Sequence, residues 1–110
     1  MSEKADRARL DFILKMILDI EKILVRHDDI SAALEDFEGQ HAILMCLMQI
    51  GEKLNKINLE KFRILLPVQE AYALRNIITH NYDAINLSII EEIVSSDLPK
   101  IKAIIEGILK

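Results

Sequence analysis

The run Ala73-Leu74-Arg75-Asn76-Ile77-Ile78-Thr79-His80-Asn81-Tyr82-Asp83 gathers an arginine, an amide, a histidine and a phenol inside an otherwise apolar region. A histidine exchanges a proton near neutral pH, as activating a ribose 2′-hydroxyl or protonating a leaving oxygen requires. An arginine supplies a permanent planar charge whose paired donors suit a phosphate and its transition state. Asn76 could orient either the ring or the phosphate, and Tyr82 could bond a substrate or accept a modifying group. The set suits phosphodiester cleavage in RNA, a scheme that calls for no metal.

Spacing limits how these groups can meet. On an ideal helix Arg75, Thr79 and Tyr82 share one face, with Asn76 and His80 on the adjoining stripe. Arg75 and His80, five residues apart, lie about 140° from one another around a straight helix. Three arrangements would unite them: a distorted helix end, a long arginine reaching around, or a second subunit, which makes the site composite. Each residue also has a plain structural reading. His80 would favour the negative end of a helix dipole, Arg75 would pair with Glu70 or Asp83, and Tyr82 would sit at a core edge.

The elements that must position them read as helices. Leu10, Ile13, Leu14, Ile17 and Leu18 follow helical spacing, predicting a first helix over about 3–26. A short helix over 31–36 and a turn to Gly39 precede a second long helix, which begins near Gln40 with Ile43, Cys46, Leu47, Ile50, Leu54 and Ile57 on one face and closes at Asn58. A weak turn over 59–65 leads to Pro67, suited to the first turn of a third helix that ends about His80 or Tyr82. Asn86 caps a fourth helix through Ser95, and Ser96-Asp97-Leu98-Pro99 starts a fifth with Asp97 as its cap. The many isoleucines favour strands by propensity, but their spacing by threes and fours outweighs it. The expected fold is all-α, an antiparallel up-and-down bundle forming a single domain over 1–110.

Within that bundle Cys46 reads as a core residue, and Met45 and Met48 as core filling more than as a partner surface. Gly51 inside a helix implies a close crossing, as near the motif helix. His27 and His41 lack metal-ligand spacing.

Bulk properties narrow the function classes. The chain has 110 residues, 51% hydrophobic and 29% charged, with three Gly and two Pro, which favours long periodic elements over a disordered chain. Charged residues interrupt every apolar run before it could cross a membrane. The N-terminus lacks the pattern of a secretory signal, and one cysteine fits a reducing compartment, so a cytoplasmic location is expected. The net charge of −4 argues against broad binding to nucleic acid, so any RNA contact must be local. The basic residues nearest the motif are Lys53, Lys56, Lys61 and Arg63; Lys53, Lys56 and Arg63 are candidate RNA contacts, although a solvated helix face explains them as well.

The Arg75-x4-His80-x-Tyr82 motif, together with Gln40-His41-Ala42, Gln49-Ile50-Gly51-Glu52 and Asp97-Leu98-Pro99-Lys100-Ile101 in that order, covers most of the chain and resembles the HepT-like family of HEPN ribonucleases. Those proteins are the toxin half of paired minimal-nucleotidyltransferase and HEPN toxin–antitoxin systems. Val68 stands where many relatives have Trp, and Leu74 where Met or a small residue is usual; neither position carries a catalytic group. The resemblance implies a HEPN-type four-helix bundle with an extra short helix, and a homodimer whose two motifs face a shared cleft. It implies metal-independent endoribonuclease activity without a cofactor, with Arg75 and His80 catalytic and Asn76 auxiliary. It further implies a type VII-like pair in which a cognate minimal nucleotidyltransferase transfers AMP from ATP to Tyr82, where added phosphate would occupy the cationic site and repel RNA. The alternative is a non-catalytic accessory subunit that binds such a transferase and presents substrate to it.

Overall fold

Leu10, Ile13, Ile17 and Ile20 recur at three- and four-residue intervals and are almost wholly removed from water. Burial of each contributes about 1.5–3 kcal/mol, which draws one stripe of a helix into the core. In the computed structural model, which describes residues 2–110, this helix is α1, Glu3–His27, capped by Ser2, whose Oγ accepts from the Ala5 amide at 3.2 Å. The chain reverses at Asp28, at φ 74°. Asp29 then caps α2, Ile30–Glu35, and Asp36 caps α3, Phe37–Asn55, by accepting from the Gly39 amide at 2.9 Å. Asp36 is why α3 begins ahead of the expected Gln40: its carboxylate satisfies an amide of the first turn, so the helix can start within a stretch that reads as a turn.

The expected end at Asn58 is also displaced. Helix α3 stops at Asn55 because Ile57 turns into the core while the Asn58 and Leu59 amides bond to the Asp6 carboxylate. A single turn, α4 (Glu60–Arg63), leads through Pro67 to α5, Val68–His80. A 3-10 turn over Tyr82–Ala84 follows, and Asn86 caps α6, Leu87–Glu92.

The fifth predicted helix does not start afresh. The backbone stays helical through a π turn, Ile93–Asp97, into α7, Leu98–Leu109, and Asp97 makes no side-chain cap. Pro99 has no amide proton for the Ser95 carbonyl, and the wider π turn ahead of it absorbs the ring without breaking the chain.

Named contacts fix the helix directions. Asp6 lies against Asn58 while His27 meets Asp36, so α1 and α3 are antiparallel. Arg7 donates to the Ile108 carbonyl at 2.9 Å and Glu21 pairs with Lys102 at 3.0 Å, which opposes α1 and α7. Gly51 adjoins Ala71 while His41 meets Tyr82, which opposes α3 to α5 and the turn that follows it. The result is an all-α bundle in which α3 packs on both α1 and α5, and one core joins Ile43, Leu47 and Leu54 of α3 to Ile78 of α5 and Ile105 of α7. No helix among the described residues is long and apolar enough to cross a membrane.

Candidate functional site

Gly51 sets the distance between the two helices that build the site. A Cβ placed there would stand 2.5 Å from the Ala71 carbonyl oxygen and 2.8 Å from the Arg75 Cβ, so α3 and α5 touch backbone to backbone beside the motif arginine. The close crossing expected from the sequence is this one. Gly51→Ala is therefore expected to lower stability by about 1–3 kcal/mol, the usual range for overpacking, and to push Arg75 off its partners. Thermal unfolding with circular dichroism checks it, and an unchanged midpoint would show that the crossing yields freely.

Arg75 is held on three sides. Its Nε lies against a Glu52 carboxylate oxygen of α3, an ion pair without the alignment of a hydrogen bond. Its Nη1 donates to Asn76 Oδ1 at 2.9 Å, and its Cζ stands 5.5 Å from the centre of the Tyr72 ring. These contacts leave Nη2 to meet an incoming group, and only a quarter of the side chain is exposed. Glu52, rather than Glu70 or Asp83, is the carboxylate that Arg75 pairs with.

His80 stands on the exposed last turn of the same helix. Among the described residues no hydrogen bond or ion pair joins it to Arg75, whose side-chain partners are Glu52 and Asn76. The helix between them stays regular, with Thr79 Oγ1 donating to the Arg75 carbonyl at 2.9 Å.

Tyr82 departs from the expected helical face. Helix α5 ends at His80, and Asn81 at φ −136° and ψ 45° turns the chain, so Tyr82 opens the 3-10 turn instead of continuing the Arg75 stripe. Its ring stacks on His41 of α3 at 5.4 Å between centroids and 27° between planes, and its hydroxyl is hydrogen-bonded to His41 Nδ1. Partial burial raises the pKa of the phenol above its ordinary value.

His41, Met45, Gln49 and Glu52 follow one another along a stripe of α3 whose two ends touch Tyr82 and Arg75. Met45 is 53% exposed, against the expectation of core filling, and Phe37 and Ile77 are also exposed apolar residues. Cys46 is buried as expected, and desolvation pushes its thiol pKa up.

The candidate RNA contacts have other partners. Arg63 Nη1 donates to the Ile57 and Asn55 carbonyls at 2.6 and 3.2 Å, closing the end of α3. Lys61 pairs with Glu3 at 2.8 Å, Lys53 lies 5.1 Å over the Phe12 ring, and Lys56 is exposed. A groove of about 510 Å³ lined by Leu47, Ile50, Leu65, Leu74 and Ile101 lies apart from Arg75, His80 and Tyr82.

Residues 13–108 match the model of the family described as Ribonuclease HepT-like. The chain belongs to the HepT-like ribonuclease family. The matched span of this HepT-like chain includes His41, Glu52, Arg75, Asn76, His80 and Tyr82, while Asp6 precedes it. Comparison with curated proteins and with solved structures returned no match. Of the residues around Arg75 and Tyr82, sequence reasoning gave no role to Glu52 or His41, although both lie in segments that carry the family resemblance. The Gly51 crossing was the one signal pointing to Glu52 as a neighbour of α5.

Proposed function

We propose that this HepT-like chain is a metal-independent endoribonuclease toxin of a type VII-like toxin–antitoxin pair, acting in the cytoplasm as one HEPN unit per subunit. The observation that carries the reading is the division of labour along α5. Arg75 is oriented by Glu52, Asn76 and Tyr72 with one guanidinium edge left open, while His80 stands exposed on the final turn. A guanidinium held this way stabilises a phosphorane without reorganising, and an exposed imidazole is free to move a proton. In this reading a ribose 2′-oxygen attacks the adjacent phosphorus, its proton passes to an imidazole, and the leaving 5′-oxygen receives a proton as the bond breaks. Asn76 fixes Arg75 through its amide oxygen.

Because Arg75 and His80 of one chain are turned apart, the site is composite, completed by a second copy across a cleft. Exposed Phe37, Met45 and Ile77 supply apolar surface for such a homodimer. Lys56, and Lys53 once drawn from Phe12, extend the cationic track; Arg63 acts on it indirectly by holding the end of α3. A cognate minimal nucleotidyltransferase neutralises the toxin by moving AMP from ATP to Tyr82.

The test is cleavage of single-stranded RNA by the purified chain in the presence of a chelator, with growth arrest on expression of the chain alone. Tyr82→Phe is expected to cleave as the wild type does yet to resist neutralisation by the transferase. The separation of Arg75 from His80 within one chain also favours a second reading, a non-catalytic subunit that presents substrate to the transferase. Absence of both cleavage and growth arrest, with a stable transferase complex surviving loss of Arg75 and His80, would establish that reading instead.

A further inference from the structure

We propose that His41 is the base that makes the Tyr82 hydroxyl nucleophilic, a role that deepens the reading of Tyr82 as a nucleotidyl acceptor and rests on it. The two residues come from segments 41 apart in the chain, and their meeting depends on the break at Asn81 that swings Tyr82 out of α5 and onto α3. Stacking holds the rings together while the hydroxyl meets Nδ1, so both the position of the nucleophile and the path of its proton are set before any electrophile arrives.

The contact with Tyr82 is not matched by a packing role for the imidazole. His41 is exposed, and among the described residues its ring has no hydrogen bond other than that to Tyr82. The contrast is His27, whose Nδ1 meets the Ile23 carbonyl at 2.9 Å and whose Nε2 meets Asp36 at 3.2 Å, with both nitrogens spent on tying α1 to the start of α3. Nearby charged groups offer no rival: Glu38 one turn earlier on α3, Asp83 beside Tyr82 and His80 at the end of α5 share no hydrogen bond with either ring.

A phenol is neutral near pH 7, and burial moves Tyr82 further in that direction, so no phenolate waits in the ground state. The proton must leave as the new bond forms, and a positioned base is worth most in that situation. The neutral tautomer of His41 with its proton on Nε2 accepts the Tyr82 O–H at Nδ1. In the transfer, Tyr82 Oη attacks the α-phosphorus of ATP and the Oη–P bond forms. The bond from that phosphorus to the bridging oxygen breaks, and its electron pair leaves with pyrophosphate. The phenolic proton passes to Nδ1, and the exposed imidazolium later returns it to water. While charged, the ring stands beside the new phosphodiester anion, an ion pair that favours the modified state.

Two arms test this, each with the intact chain and each read as modification of the Tyr82 peptide by mass spectrometry. The first treats the chain alone with an aryl sulfonyl fluoride carrying adenosine; the second supplies a minimal nucleotidyltransferase and ATP. His41→Phe keeps the stacked ring and removes the acceptor, and is expected to slow Tyr82 labelling about a hundredfold, the lower end of what a positioned base contributes. Difluorotyrosine in place of Tyr82, a more acidic phenol, is expected to restore most of that rate in the His41→Phe chain, which a merely structural role for His41 would not allow. Equal labelling of wild type and His41→Phe, or a loss that the acidic phenol does not rescue, would overturn the role of His41. A wild-type chain that reacts with the sulfonyl fluoride but receives no AMP overturns the acceptor reading of Tyr82 under Proposed function, separately from the first arm.

Discussion

Mixing Arg75→Ala chains with His80→Ala chains is expected to restore RNA cleavage that neither variant shows alone. Each substitution removes a group that acts in the transition state, and each should lower the cleavage rate by about a hundredfold to ten-thousandfold. Of the three ways to unite groups set five residues apart, the geometry disfavours two. The helix does not distort, since α5 remains regular through His80, and Arg75 does not reach around, since Glu52 and Asn76 hold it. The remaining way sets the arginine of one copy against the histidine of the other. In a mixed dimer one of the two clefts then carries both substitutions and the other carries neither. Random reassortment puts half of the molecules in that state with one intact cleft each, so about a quarter of wild-type activity should return. If the mixture stays inactive while its chains exchange, a single chain supplies both groups and the composite site is wrong. The measurement is the initial rate of cleavage of a labelled RNA, with exchange followed by native mass spectrometry.

What the sequence could and could not reveal follows from the range of the forces involved. The bundle was legible because burial of Leu10, Ile13, Ile17 and their counterparts imposes a helical period that any window of the chain displays. The Gly51 crossing was legible because a glycine inside a helix needs a cause, and the Ala71 carbonyl provides it. Tyr82 was misplaced by extending the helix one turn beyond His80, when Asn81 leaves helical dihedrals and hands Tyr82 to α3. Glu52 was hidden for a related reason: Glu70 and Asp83 are near Arg75 in the chain, whereas Glu52 is brought to it only by the packing of α3 on α5. Local signals were also overridden. Ser96-Asp97-Leu98-Pro99 has the residues of a helix start, yet cooperative continuation through a π turn keeps α6 and α7 in one helical path. Asp36, read within a turn, is the cap that starts α3, because one satisfied amide is enough to let the helix begin there.

Asp6→Ala is expected to be the most damaging single change to the bundle outside the packed apolar residues. Among the described residues Asp6 is the one polar or charged side chain buried in the core, with its side chain wholly inaccessible. Its carboxylate accepts from the Asn58 amide at 3.0 and 3.1 Å, from the Leu59 amide at 2.8 Å and from Arg9 Nη1 at 3.0 Å. Removal leaves two amides and a guanidinium edge without their acceptor where α3 gives way to α4, and should cost about 3–5 kcal/mol. In a bundle of this size that is a large part of a typical net stability, and the unfolding midpoint should fall by about 15 °C or more. The acid limb gives an independent reading. Burial pushes the Asp6 carboxyl pKa up, but the Leu59 and Asn58 amides and Arg9 outweigh it and leave the group below its ordinary value. A folded pKa below the unfolded one means that this stabilisation is complete above about pH 4 and is lost as the pH falls through the folded value. Melting curves of wild type and Asp6→Ala should therefore lie far apart at neutral pH and draw together on acidification. A constant gap down to the acid transition would show that Asp6 acts by shape and not by charge. The effect should reach the site as well, because the segment Asp6 anchors follows the end of α3, and a loosened α3 no longer holds Glu52 against Arg75.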